Sequence, residues 1–324
     1  MPRVVTRAVI NFLLEGDPAI RWQVMRDLLD TTSTDWENEQ ILISSTGWGA
    51  KFLARQHKDG SWPVARWTDA VWTLQTLVDL GIPPNNERLT SAAERLIGRL
   101  MPKGGKVSHK VLATRMDLCH LGFWLRIGAY FLADDARLES LSSFIYSLQM
   151  EDGGWNCRII RRRLTHHSSF HTTFNVLEGL SQAANLGVIP MKPFLESQSR
   201  ALEFMMEHQM YRSDNSGEII NRRFIQLTYP WRWHYTVLRG LDYMRNTPQI
   251  FDPRLEDALS VVEGQMNANG LWPVANKIEG DSLFDMEKMG KDSRWNTLRA
   301  LRVLKAAGRI VIDQSASLTP TGPY

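Results

Sequence analysis

Apolar residues recur at helical spacing in a series of segments joined by polar, glycine-bearing links. DAVWTLQTLVDLG (69–81), HTTFNVLEGLSQAANLG (171–187), HYTVLRGLDYMRN (234–246) and RWNTLRALRVLKAAG (294–308) each carry a continuous apolar stripe, and most close on Gly or Asn, as a helix C-terminus does. Further helical runs lie between them, such as RLTSAAERLIGRL (88–100) and RLESLSSFIYSLQ (137–149). No segment alternates as a strand would.

The links repeat. FLARQHKDGSW (52–62), FIYSLQMEDGGW (144–155) and VVEGQMNANGLW (261–272) share an apolar pair, a glutamine (Gln56, Gln149, Gln265), a polar link with glycine, and a tryptophan (Trp62, Trp155, Trp272). Weaker copies occupy 96–107 and 204–219. The spacing, roughly 45–65 residues, is that of a repeat architecture. A lone helix pair cannot bury its apolar face, whereas stacked pairs can. The pattern predicts an all-α protein: an α/α-toroid of five to six helix pairs, an inner ring within an outer one. It would be one domain over 1–324, with its first helix from about residue 4 and a tail after about 310. An open superhelix of the same pairs is the alternative, which the sequence pattern alone does not exclude. Each glutamine–tryptophan turn would lead from an outer helix into the N-terminus of the next inner helix. All inner-helix N-termini then share one end, whose partial positive charge suits an anionic ligand.

Composition narrows the class. The 324 residues are 43% hydrophobic and 23% charged, typical of a globular protein, and the formal net charge of +3 gives no argument for nucleic acid. Cys119 and Cys157 are the two cysteines, too few for a disulfide framework, which suggests a reducing compartment. The N-terminal apolar run is broken at Glu15–Pro18, so neither a membrane span nor a signal peptide is expected, and a cytoplasmic location follows.

The Gln…Gly-x-Trp turn on paired helices resembles the repeat of the terpenoid cyclase and protein prenyltransferase superfamily, and the resemblance extends from about residue 19 to 308. There the turn is structural: Gln caps a helix end and Trp packs beside it. A second resemblance concerns DLCHLGFW (117–124) and FHTTFNVLEGLSQA (170–183). In prenyltransferase β subunits an Asp-x-Cys at one inner-helix start and a His at the next bind zinc, which implies Asp117, Cys119 and His171 as catalytic metal ligands. The implied function is binding of an isoprenoid diphosphate or a similar apolar-tailed anion, with zinc activating a thiol or water and no nucleotide cofactor. A second subunit, a homo-oligomer or peripheral membrane contact would be its partners.

The residues can be weighed without the family. Asp, Cys and His are competent zinc ligands, and three of them leave an open coordination position. Cys157 and His167 lie in the connection between the two helices as further ligands, beside His166. Against this, a free cysteine is often a small buried hydrophobe, and helix-start Asp and His are often caps. A second group is the Arg-Trp pairs at inner-helix starts. Arg66, Trp67, Arg232, Trp233, His234, Arg294 and Trp295 would ring one mouth, the arginines holding an anion and the tryptophans walling an apolar cavity or stacking on sugar rings. Two other functions stay open. One is a toroid carbohydrate-active enzyme, a glycoside hydrolase or lyase, with paired carboxylates among Asp69, Asp281, Asp285 and Asp292. The other is a non-catalytic repeat scaffold.

Overall fold

The repeated turns are built alike in space. The indole N–H of Trp62, Trp155 and Trp272 donates to the carbonyl ten residues earlier, on Phe52, Ile145 and Val262, at 2.9, 3.0 and 2.7 Å. That bond adds a second donor to a last-turn carbonyl of the outer helix, which also accepts the backbone N–H three residues on, from Arg55, Leu148 and Gln265 respectively. The paired glutamine reaches across to a neighbouring element: Gln56 and Gln149 forward to the Arg88 and Ser197 carbonyls, and Gln265 back to that of Ile225. Gly60, Gly153 and Gly270 take φ of +81°, +93° and +79°, a region a side chain disfavours. The turn therefore staples one outer helix to a neighbouring segment while the chain reverses inward.

The computed structural model describes residues 2–63, 69–99, 101–102, 108–160, 165–276, 278 and 282–313. Six inner helices, Pro18–Asp27, Asp69–Leu80, Leu118–Phe131, Phe170–Asn185, Val237–Met244 and Arg294–Ala306, follow the outer helices Arg7–Leu14, Gly47–Ala54, Glu87–Gly98, Arg137–Tyr146, Met191–Glu207 and Glu256–Glu263. Four of the inner helices start on side-chain caps. Asp17 accepts from the Ala19 N–H ahead of a first-turn proline, and Ser169, Thr236 and Ser293 accept from Thr172, Arg239 and Asn296. They are buried around most of their circumference; Leu118–Phe131 sinks Leu118, Leu121, Phe123, Trp124, Leu125 and Ile127 together. The outer helices bury one face only, as Glu87–Gly98 does with Leu89, Ala92, Ala93, Leu96 and Ile97.

The third and fourth inner helices meet almost backbone to backbone. A Cβ placed on Gly179 would stand 2.3 Å from the Gly122 carbonyl oxygen, and one on Gly122 would stand 2.5 Å from the Asn175 carbonyl oxygen. Small residues at both positions permit that approach.

The ring closes. Arg302 on the sixth inner helix donates to Gln23 at 2.7 Å and pairs with Asp27 at 3.1 Å on the first. Arg294 donates to the Phe12 carbonyl at 2.7 Å. Outside, strand Arg3–Val5 lies parallel to Ile310–Ile312, pairing Arg3 with Ile310 and Val5 with Ile312. The fold is thus an all-α, closed α/α-toroid, and the open superhelix is excluded. Among the described residues no helix is long and apolar enough to cross a membrane.

Candidate functional site

Each of the six inner helices contributes a charged side chain to one cavity. Asp79 from the second, Arg126 from the third, Glu178 from the fourth, Arg239 and Asp242 from the fifth, and Arg299 and Arg302 from the sixth line one cavity of about 470 Å³. That size falls within the roughly 300–1,000 Å³ of small-molecule sites. Trp231 and Trp295 also line it, as do Trp22, Trp36 and Arg26 near the first inner helix and Arg245 at the end of the fifth. The cavity lies toward the C-terminal ends of the inner helices, opposite the repeated turns. The sequence placed the mouth at the turn-bearing end. One void there, of about 60 Å³, is lined by Trp72, Arg232 and Phe284 and shares Asp79 and Trp231 with the axial cavity; another, of about 490 Å³, is lined by Met266, Asn269, Gly270 and Trp272 of the third repeated turn. Helix-terminus polarity does not reveal which end buries its charge.

Two ion-pair clusters share the cavity wall. In one, Arg126 lies 2.8 Å from Asp79 and 3.7 Å from Glu178, and donates to Gln75 at 2.7 Å; Arg239 pairs with Glu178 at 2.5 Å and donates to the His234 carbonyl. In the other, Asp242 meets Arg299 at 2.7 Å, Arg245 at 3.1 Å and Arg302 more closely still. Asp27, behind Asp242, is shared by Arg26, Arg245 and Arg302. The Arg299 guanidinium also lies 3.8 Å over the Trp231 ring, while its buried Nε has no partner within the protein. Six arginines, Arg26, Arg126, Arg239, Arg245, Arg299 and Arg302, thus face three carboxylates in the lining, Asp79, Glu178 and Asp242. The excess is cationic.

The carboxyls are not equivalent. Burial raises the Asp79 carboxyl above its ordinary value, the nearby Glu178 charge adds to this, and Arg126 offsets it only in part. At Glu178 burial also acts upward, but Arg239 and Arg126 outweigh it and hold the carboxyl below its usual range. Asp242 is held lower still: burial is overcome by Arg302 and Arg299. One guanidinium, that of Arg126, therefore separates a carboxyl that favours its proton from one that does not.

The structure disperses the zinc set implied by the resemblance. His171 turns toward the fifth repeat: its Nδ1 accepts the Tyr235 N–H at 2.8 Å, and its ring packs edge-on to Trp233 and His234. Burial, His234 and Arg239 push it down to about 4. Cys119 instead meets Cys157, whose sulfur accepts the Cys119 N–H at 3.4 Å. Asp117 is the N-cap residue of Leu118–Phe131, and His167 is exposed with its carbonyl accepting from Asn156 at 2.8 Å. Among the described residues no group of three His, Cys, Asp or Glu side chains could hold a metal ion, so the zinc expectation is corrected.

The Arg-Trp ring also divides. Trp295 is buried, stacks on Tyr229 at 4.6 Å and reaches the axial cavity. Arg294 serves packing, its guanidinium 4.3 Å over the Phe12 ring. Trp233 is 41% exposed and stacks on His234 at 3.8 Å, away from the axial cavity. Arg232 lines the small void. Arg66 and Trp67 lie outside the described residues. Of the carboxylates considered for a glycosidase, Asp285 and Asp292 are exposed, and Asp292 accepts from Asn267 at 2.7 Å; Asp281 and the Asp69 side chain lie outside the described residues. The sequence reading missed Asp79, Glu178 and Asp242. Each is an acidic residue within a helical segment that carries an apolar stripe, and that interruption was the available signal.

No family model matches the chain, and no curated protein matches it. Among solved structures it is similar to a glycosyl hydrolase family 88 protein from Bacteroides vulgatus, at 11% identity and a TM-score of 0.47, over 94% of this chain and 90% of that one. The expected kinship with prenyltransferases and terpenoid cyclases, and the isoprenoid reading with it, is corrected: the likeness found is to a protein described as a glycosyl hydrolase. The glutamine–tryptophan turn that suggested it is a packing device.

Proposed function

We propose that the protein is a carbohydrate-active enzyme that holds an acidic saccharide in its axial cavity and cleaves a glycosidic bond. The observation that carries this is the Asp79–Arg126–Glu178 group: two carboxyls displaced in opposite directions on either side of one guanidinium, in a tryptophan-bearing cavity. Glycoside hydrolysis needs such a division between an acid and an ionised partner. Asp79 gives its proton to the leaving oxygen as the bond from that oxygen to the anomeric carbon breaks. Glu178, ionised, supports the developing positive charge or deprotonates the water whose oxygen joins that carbon. Substrate hydroxyls take the places of the arginine partners. The surplus guanidiniums, Arg299 with its unpartnered Nε foremost, receive the sugar's carboxylate or other acidic group, for which their fork is suited. Trp36, half-buried in the cavity lining and packed beside Trp22, offers a ring for stacking.

The test is to expose the protein to matched oligosaccharides with and without a uronic acid, following tryptophan fluorescence and release of reducing ends. Acidic chains should bind and be cleaved. Asp79→Asn and Glu178→Gln should each lower turnover by about a hundredfold or more, with binding retained. Absence of binding by every acidic saccharide would refute the proposal.

A further inference from the structure

The two cysteines, 38 positions apart in sequence, come together at the turn-bearing end. Leu118–Phe131 presents its first-turn Cys119 N–H to the Cys157 sulfur at 3.4 Å, and the Thr172 hydroxyl on the fourth inner helix lies 3.3 Å from the same sulfur. The Cys119 sulfur itself lies 3.9 Å from the Nδ1 of the adjacent His120. Both are free and partly exposed. The close backbone approach at Gly122 and Gly179 joins the helix that carries Cys119 to the helix that carries Thr172. A thiol that accepts backbone and hydroxyl hydrogen bonds is favoured as the nucleophile, and a second thiol in contact is favoured to resolve its oxidised form.

We infer that Cys119 and Cys157 form a dithiol site that a hydroperoxide converts to an intramolecular disulfide. Cys157 attacks the terminal peroxide oxygen, the O–O bond breaks, and Cys157 becomes a sulfenic acid. With hydrogen peroxide, water leaves and takes up the thiol proton. The Cys119 sulfur then attacks the sulfenic sulfur, and a second water departs with the Cys119 proton. In sum two thiols and one peroxide give one disulfide and two waters. The new bond would tie the start of the third inner helix to the Cys157–Ile160 helix on the path to the fourth. Cys157 stands outside the repeated turn, since the equivalent position after Trp272 is Val274, so the device belongs to this repeat alone.

The experiment treats the reduced full-length chain with hydrogen peroxide and reads intact mass, free-thiol titration and a dimedone trap. The expected result is loss of both thiols together, a mass lower by two hydrogens, a Cys119–Cys157 cross-linked peptide, and restoration by dithiothreitol. Cys119→Ser should stop at a dimedone-reactive Cys157, and Cys157→Ser should leave Cys119 largely unmodified at the same dose. Oxidation of the native chain that ends on sulfenic or sulfinic acid without the cross-link would overturn the inference, as would thiols that survive a dose that oxidises free cysteine. The wild-type readout decides even if a variant fails to fold.

Discussion

Asp79 and Glu178 show how one residue type is made to do two things. Both are buried and both face Arg126, yet Glu178 has a second guanidinium, that of Arg239, and Asp79 does not. The proposed activity requires Asp79 protonated and Glu178 ionised. It should rise as Glu178 loses its proton at low pH and fall as Asp79 loses its own at higher pH. In Asp79→Asn the residual turnover should lack the alkaline limb; a pH–rate profile unchanged in shape would remove Asp79 from the acid role. His171 makes a separate, structural prediction. Its folded value, about 4, lies below the ordinary 6.5 because burial disfavours the cation. The unfolded chain therefore binds that proton first, and stability falls as pH drops from about 6.5 toward 4, by roughly 3 kcal/mol at most. Protonation would also cost the bond from the Tyr235 N–H. His171→Gln should flatten this part of the stability–pH curve, measured by urea unfolding across that range.

At the scale of elements, the glutamine–tryptophan turn and the Gly122–Gly179 crossing hold the helices to one another. Trp155 is fully buried and its indole N–H is bonded to Ile145, so Trp155→Phe should remove that buried bond, leaving the Ile145 carbonyl with its backbone donor Leu148 alone, and open a small void. The expected loss is about 2–4 kcal/mol by chemical denaturation. Gly179→Ala should be costly in a different way. The added methyl meets backbone, the Gly122 carbonyl at 2.3 Å, and backbone does not yield as a flexible side chain does. A loss of about 1–3 kcal/mol or more is expected, and a melting temperature equal to wild type would show that the two helices can slide apart. By contrast, Gly187 has φ +72° and open space around it, so its role is conformational and not steric.

For the whole molecule, closure of the ring places the charged residues. The strand pair of Arg3–Val5 with Ile310–Ile312 joins the chain's beginning to its end, and Arg302 bridges to Gln23 and Asp27 within. Val5→Asp, which puts a charge at a position only 7% exposed, should lower the melting temperature of the entire ring in one transition, read by calorimetry. The cationic surplus at the axis predicts a second global effect. A bound acidic saccharide should stabilise the fold by about 2.7 kcal/mol at a hundredfold excess over its Kd, and the gain should shrink with added salt where the contacts are solvent-accessible.

The helix pairs, their number and their turns are written locally, in period and in recurring Gln, Gly and Trp. That is why the toroid was legible from the chain alone: a helical stripe and a capping turn depend on residues within about ten positions of each other. The Asp-x-Cys and His segments were legible too, but not their geometry, because a side chain's direction at a helix start depends on what packs beside it. His171 was claimed by Tyr235, 64 positions away, and Cys119 by Cys157. The axial carboxylates and arginines were visible only as interruptions in apolar helices. Asp79 meets Arg126 across 47 positions, Glu178 meets Arg239 across 61, and Asp27 meets Arg302 across 275. Charges so far apart acquire their partners, their proton affinities and a shared cavity only when the ring closes, so the sequence determined the wheel and tertiary structure alone decided which end of its axle holds the site.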